Sequence, residues 1–194
     1  LKAGDPAPDA LHVGTLGLAM EPIADSLAAL VAAVPESTFV MVDPNCRPTA
    51  TPDFDRYQSR MRRVIERADV VKGSDEDFEY LALAKSPEAT ARLLVEQGVG
   101  AVLVTQGGEA ARGFCAGGEV SVPVPSVQVV DTVGAGDTFG GAFLAYWLEH
   151  GFGRQELTDP DLLEAAVTFA ARAAAVNCTR AGAEPPTREE LDLD

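Results

Sequence analysis

Basic residues are scarce in this chain. Lysine and arginine total 15 against 30 aspartates and glutamates, a formal charge of −15 over 194 residues. Nucleic acid and anionic membranes attract a basic face that displaces counterions, so this balance argues against either as a partner. Cysteine is sparse too: Cys46, Cys115 and Cys178 are an odd number without metal-type spacing, which fits a reducing compartment. No apolar run is long enough to cross a bilayer, and the first residues lack the charged and hydrophobic regions of a signal peptide. The expected location is the cytoplasm. No internal repeat, low-complexity linker or domain boundary is visible, and residues 1–194 read as a single α/β domain with room for one sizeable core. Two phosphate motifs are missing as well. No glycine loop is followed by the Lys-Ser or Lys-Thr of a Walker site, and Gly134, Gly136 and Gly140 are spaced G-x-G-x-x-x-G, not G-x-G-x-x-G.

What the chain does contain is Asp131-Thr132-Val133-Gly134-Ala135-Gly136-Asp137-Thr138. Val127 to Val130 before it reads as a short buried strand, and Phe139, Ala142, Phe143, Tyr146 and Trp147 after it recur at helical spacing. The glycines therefore open a helix, where unpartnered backbone N–H groups and the helix dipole attract anions and the missing Cβ atoms let a phosphate approach. An acid in a first turn ordinarily complements the dipole. Beside a phosphate cradle it adds repulsion, so Asp137 is assigned to handling a proton or, through a metal, the phosphate itself.

The remaining segments alternate. Ala10–Gly14 predicts a strand, 22–34 a helix, and 38–42 a buried parallel strand, together one βαβ unit. Asp43-Pro44-Asn45-Cys46-Arg47-Pro48 follows at a strand's carboxyl end, where open α/β sheets place their ligands. Residues 53–68 predict a helix whose five arginines spread around it as a solvated surface. A strand over 69–72 leads into a helix capped by Ser74 or Asp75. A helix over 87–97 and a strand over 101–105 precede Gln106-Gly107-Gly108-Glu109; strands over 111–115 and 119–124 form a hairpin. A long helix over 161–178 follows, with Gly182 as its stop and Pro185-Pro186 ending regular structure. The order indicates a mainly parallel sheet with helices on both faces and one small antiparallel hairpin.

The 131–137 stretch resembles the D-T-x-G-A-G-D signature of the ribokinase-like, or PfkB, carbohydrate kinases at every fixed position. The resemblance implies an ATP-dependent sugar kinase of ribokinase-like fold that uses Mg²⁺ and a monovalent cation such as K⁺. By position, Asp137 is the base for the sugar hydroxyl, and Gly134, Ala135 and Gly136 form the anion hole. D-P-N-x-R-P is similar to the fructokinase-like branch and places Asp43, Asn45 and Arg47 near phosphate transfer. Ser74 and Asp77 stand at the N-x-x-E positions that help place Mg²⁺ and phosphate; Asp77 is one methylene shorter than the usual Glu, with Glu76 as the other candidate. Thr105, Gly107, Thr132, Asn177 and Gly182 are implied ATP contacts, and Asp131 a monovalent-cation ligand.

The resemblance also implies that this chain, which opens at Leu1, carries the C-terminal, ATP-binding part of such a fold. The N-terminal sugar-binding segments and the lid, often the dimer contact, are then absent. Two other readings stand beside the sugar kinase: a non-catalytic nucleotide-binding fragment, and a family member acting on a nucleoside or a sugar phosphate.

Overall fold

Successive residues of a strand face opposite sides, and Phe39–Asp43 shows the consequence. Val40 and Val42 pack into one hydrophobic cluster, Phe39 and Met41 into another, so the strand is buried on both sides. The chain is described here by a computed structural model covering residues 6–191. Its sheet has six strands in sequential order: β1 (Ala10–Gly14), β2 (Phe39–Asp43), β3 (Val70–Ser74), β4 (Ala101–Thr105), β5 (Ala110–Cys115) and β6 (Gly118–Pro123). Strands β1 to β4 are parallel; β5 and β6 return antiparallel, Thr105 opposite Ala111 and Cys115 opposite Gly118. The expected α/β architecture with a terminal hairpin is what the chain forms.

Helices α1 (Leu16–Ala19), α2 (Ile23–Ala33), α3 (Phe54–Ile65), α4 (Asp75–Leu81) and α5 (Pro87–Glu96) build the first cluster with one sheet face. Helices α6 (Ala135–Glu149) and α7 (Pro160–Cys178) cover the other. Phe139, Phe143 and Trp147 recur every fourth residue along α6 and are buried, the last two rings stacked with centroids 5.6 Å apart. A short helix, α8 (Arg188–Leu191), lies near the end of the described chain. Among the described residues no helix is long and apolar enough to cross a membrane.

Four expectations are corrected. Val127–Val130 is not a buried strand: Val129 and Val130 are exposed, and the Val130 amide donates to Cys178 O at 2.8 Å, so this segment is tied to the end of α7 and not to a ladder. The α3 arginines are not all solvated; Arg60 is buried and its guanidinium donates to Asp25, Glu21 and the Leu18 carbonyl. The helix ending at Cys178 stops with Thr179, before Gly182. Finally, α8 follows the two prolines that were expected to end regular structure.

Candidate active site

Alternation along the parallel strands decides which side chains reach the loops. Asp43 has the parity of Phe39 and Met41, and Lys72 that of Val70, so both belong to the face that α6 covers. At the carboxyl ends of β2 and β3 they meet as a buried pair, Lys72 Nζ to Asp43 Oδ2 at 2.7 Å. The other carboxylate oxygen of Asp43 is buried and has no partner. Burial raises the Asp43 carboxyl above its ordinary range, against the opposing pull of Lys72.

Above this pair lies the start of α6. Gly134, in the left-handed region at φ 77°, is its N-cap and offers no side chain to the first turn. Thr138 N–H donates to Gly134 O at 2.8 Å and Ala135 N–H to Thr132 O at 3.2 Å. The N–H groups of Gly136 and Asp137 have no acceptor among the described residues. Gly136 sits directly over the buried lysine: a Cβ placed there would lie 3.0 Å from Lys72 Nζ. Asp137 is exposed.

Two neighbouring cavities meet at this helix start. One, of about 380 Å³, is lined by Thr105, Gly107, Val127, Val129, Thr132, Gly136 and Cys178 and is largely apolar. The other, of about 710 Å³, holds Asn45, Arg47, Lys72, Ser74, Glu76 and Asp137. Thr105, Gly107, Thr132 and Gly136 line both. Most of the residues singled out from sequence thus converge on one continuous cleft at the carboxyl ends of the parallel strands, the expected ligand side of such a sheet. Val127 and Val129 of the 127–130 loop serve as cavity wall.

Others support the cleft from behind. Asn177 is fully buried and lines neither cavity; its amide donates to Val133 O at 2.9 Å. Asp131 accepts from the Val133 amide at 3.1 Å and the Gly182 amide at 2.8 Å, bonds that hold its carboxyl below the usual range. Arg47 is exposed and folds back on its own loop, donating to Cys46 O at 2.9 Å. Asn45 is held at φ 38°, a left-handed backbone tolerated by Asn.

Asp77 is committed to structure. One oxygen accepts the Cys46 amide at 2.6 Å; the other accepts the Ser74 amide and hydroxyl, each at 2.8 Å. With the Ser74 hydroxyl accepting from the Asp77 amide, this is a capping box that also ties the 43–48 loop to α4. Asp77→Ala should therefore cost about 2–3 kcal/mol, the scale of charged hydrogen bonds with a buried donor left unmet, and lower the melting midpoint by roughly 5–10 °C; differential scanning calorimetry reads it directly. Glu76, by contrast, is exposed on the cavity wall and its carboxylate has no partner among the described residues.

Lys72 was not among the sequence candidates. The available signal was a lysine after Val70-Val71 inside a strand whose first four residues are all buried.

Residues 7–190 match the profile described as pfkB family carbohydrate kinase. A fructokinase of Rhizobium leguminosarum bv. trifolii is 37% identical over 137 residues, 71% of this chain and 42% of that protein. The crystal structure of Vibrio cholerae O395 fructokinase bound to fructose, ADP and calcium ion aligns with a TM-score of 0.85 at 27% identity, covering 97% of this chain and 61% of the other. Aminoimidazole riboside kinase of Salmonella enterica, complexed with aminoimidazole riboside and an ATP analogue, aligns at 0.82 with 25% identity, covering 96% and 64%. The chain thus spans about half the length of the curated relatives it matches. With the profile matched over nearly the whole chain and the fold shared with these kinases, this chain belongs to the pfkB family of carbohydrate kinases.

Proposed function

We propose that the chain carries the nucleotide-binding and base-bearing part of an ATP-dependent sugar kinase, which transfers the γ-phosphoryl group to a sugar hydroxyl. One observation carries the reading: an exposed carboxylate, Asp137, stands beside two unpartnered amides at the start of α6, on a cleft with an apolar arm and a polar arm. The apolar arm, walled by Val127, Val129 and Ala174, suits a base; Thr105, Gly107 and Thr132 line the passage toward the polar arm, where phosphates would lie. The amides of Gly136 and Asp137 are aimed where anionic oxygens would sit, and Ala135's longer bond to Thr132 is the one an anion could displace. Asp137 orients the hydroxyl and accepts its proton as the bond to phosphorus forms.

Mg²⁺, when bound with ATP, would offset phosphate charge. Among the described residues no cluster of three acidic, histidine or cysteine side chains forms a metal cage, a donor set that fits an ion held largely by phosphates and water. Glu76, exposed on the polar arm, would hold it; Asp77 is committed to its three donors. Asp131 is the ionised oxygen donor for a monovalent cation beside the Gly182 turn. A ketohexose is the favoured acceptor, by likeness to the fructokinases, and a nucleoside the second, by likeness to the riboside kinase. The three free cysteines fit a cytoplasmic setting.

The test has two parts. Purified protein is assayed for ADP release with a panel of ketohexoses, sugar phosphates and nucleosides; release stimulated by none of them rejects the kinase reading. Nucleotide placement is read through Cys178, a half-buried thiol on the apolar arm. Its alkylation should be slowed at least ~5-fold by saturating Mg-ATP, as bound ligand excludes the reagent from a pocket it fills. Cys46, buried and pushed up to about 12 by its burial, should react only after denaturation.

A further inference from the structure

Among the described residues Lys72 is the one ammonium on the cleft. The cations lining the polar arm are Lys72 and Arg47, and the Arg47 guanidinium is turned onto the carbonyls of its own loop. Lys72 is 4% exposed, yet its Nζ lies under Gly136, the residue whose free amide opens onto the same ledge. An ammonium has three donors; one goes to Asp43 at 2.7 Å, and no other acceptor lies within bonding distance among the described residues. Burying an ion pair in a sheet is poor stabilisation, because desolvation offsets the Coulomb gain unless the remaining donors and acceptors are met. Here they are unmet on both partners, since the second Asp43 oxygen is also bare. Glycine at 136 is what leaves the ammonium accessible: any Cβ there would press on Nζ at 3.0 Å.

Resting on the kinase reading above, we propose that Lys72 is a catalytic residue: its ammonium, aimed by Asp43, donates to an oxygen of the transferred phosphoryl group. In the step, the acceptor hydroxyl oxygen bonds to the γ-phosphorus while the bond from that phosphorus to the β,γ-bridging oxygen breaks. The hydroxyl proton passes to Asp137, and ADP leaves with the electron pair of the broken bond. Lys72 keeps its proton throughout; its donation strengthens as charge spreads over the equatorial oxygens. Asp43 is a positioning residue, holding the ammonium beneath the gap at Gly136. In a chain of net charge −15, a fixed local cation is what allows a polyphosphate to bind against the global field.

The test compares the full chain with Lys72→Met, Lys72→Arg and the double variant Lys72→Met/Asp43→Asn. The double variant removes both charges, so no ion is left buried alone and folding is preserved. Steady-state kcat and KM are measured beside the affinities for ADP and a non-hydrolysable ATP analogue. For Lys72→Met, kcat should fall at least ~10², the usual loss for one phosphoryl-stabilising donor. Its affinity for ADP should stay within about threefold, and the wild-type preference for the analogue over ADP should vanish, because Lys72 meets the γ-group and not the base. Lys72→Arg should recover part of the loss, and the double variant should be as inactive as Lys72→Met while melting near wild type. A merely structural pair predicts the reverse, an active double variant. That result, or a single Met variant within about threefold of wild type in kcat, overturns the assignment. If wild-type protein shows no acceptor-stimulated ADP release, the kinase reading fails, and retention of the γ-phosphate preference in Lys72→Met is then what decides against Lys72.

Discussion

Asp137→Asn is expected to reduce kcat by at least ~10², the usual contribution of a positioned general base, while ATP affinity stays within a few-fold. The substitution keeps size, helix position and the neighbouring amides of α6, so the fold is untouched. What disappears is the acceptor for the hydroxyl proton. Asp137 is exposed on the cleft, and no hydrogen bond among the described residues holds its carboxylate elsewhere. Replacing an anion next to bound phosphates also removes a repulsion, so nucleotide binding should hold or tighten. Steady-state kinetics with saturating acceptor, together with nucleotide titration, separates the two effects. An unchanged kcat would remove the base assignment and return Asp137 to the role of an ordinary first-turn acid.

Such a test is meaningful because the elements that carry Asp137 were readable from sequence. Strand β2 is apolar over its first four residues because both its faces are covered, which makes the run Phe39-Val40-Met41-Val42 distinctive. Helix α6 has aromatic residues at fourfold spacing that only a helix can bury together. The cap at Ser74, one of the two candidates Ser74 and Asp75, is a local pattern and formed at the expected helix start; its completion by the Asp77 side chain into a capping box was not foreseen.

What was not legible depended on partners distant in sequence. Val127–Val130 has a strand's composition, but a strand also needs a ladder; here its backbone meets the last turn of α7, about fifty residues away, and Val127 and Val129 line a cavity. Arg60 looked like one of five surface arginines until the loop before α2 supplied Glu21 and the first turn of α2 supplied Asp25. Helical periodicity carries no information about such a pairing. Lys72 is the more instructive case. A lysine inside a strand buried on both faces contradicts the pattern around it; local contradictions of that kind collect at functional sites, and only the fold revealed that Gly136 and Asp43 converge on it.

That convergence sets the second large effect, at Gly134. Gly134→Ala is expected to lower kcat about 10²-fold, the cost of misplacing reacting groups by roughly an ångström, and to destabilise the protein by about 1–3 kcal/mol through backbone strain. Two independent features require glycine here. The backbone sits at φ 77°, where an L-residue meets steric resistance. A Cβ would also stand 2.5 Å from Ala183 Cβ and 3.0 Å from Ala183 Cα, so either the helix start or the 182–184 turn must move. The turn is the weaker partner because Ala183 is exposed. Moving it breaks the Gly182 amide's bond to Asp131, which steadies the start of the motif. The helix start, if it yields instead, carries the Gly136 and Asp137 amides away from Lys72. Both routes damage the same cleft, and the measurements tell them apart. Displacement of the turn should weaken any activation by K⁺ and leave the affinity for ADP nearly intact, whereas displacement of the helix should cost nucleotide affinity and kcat together. Full activity in Gly134→Ala would mean that the unpartnered amides of α6 play no part in phosphoryl transfer.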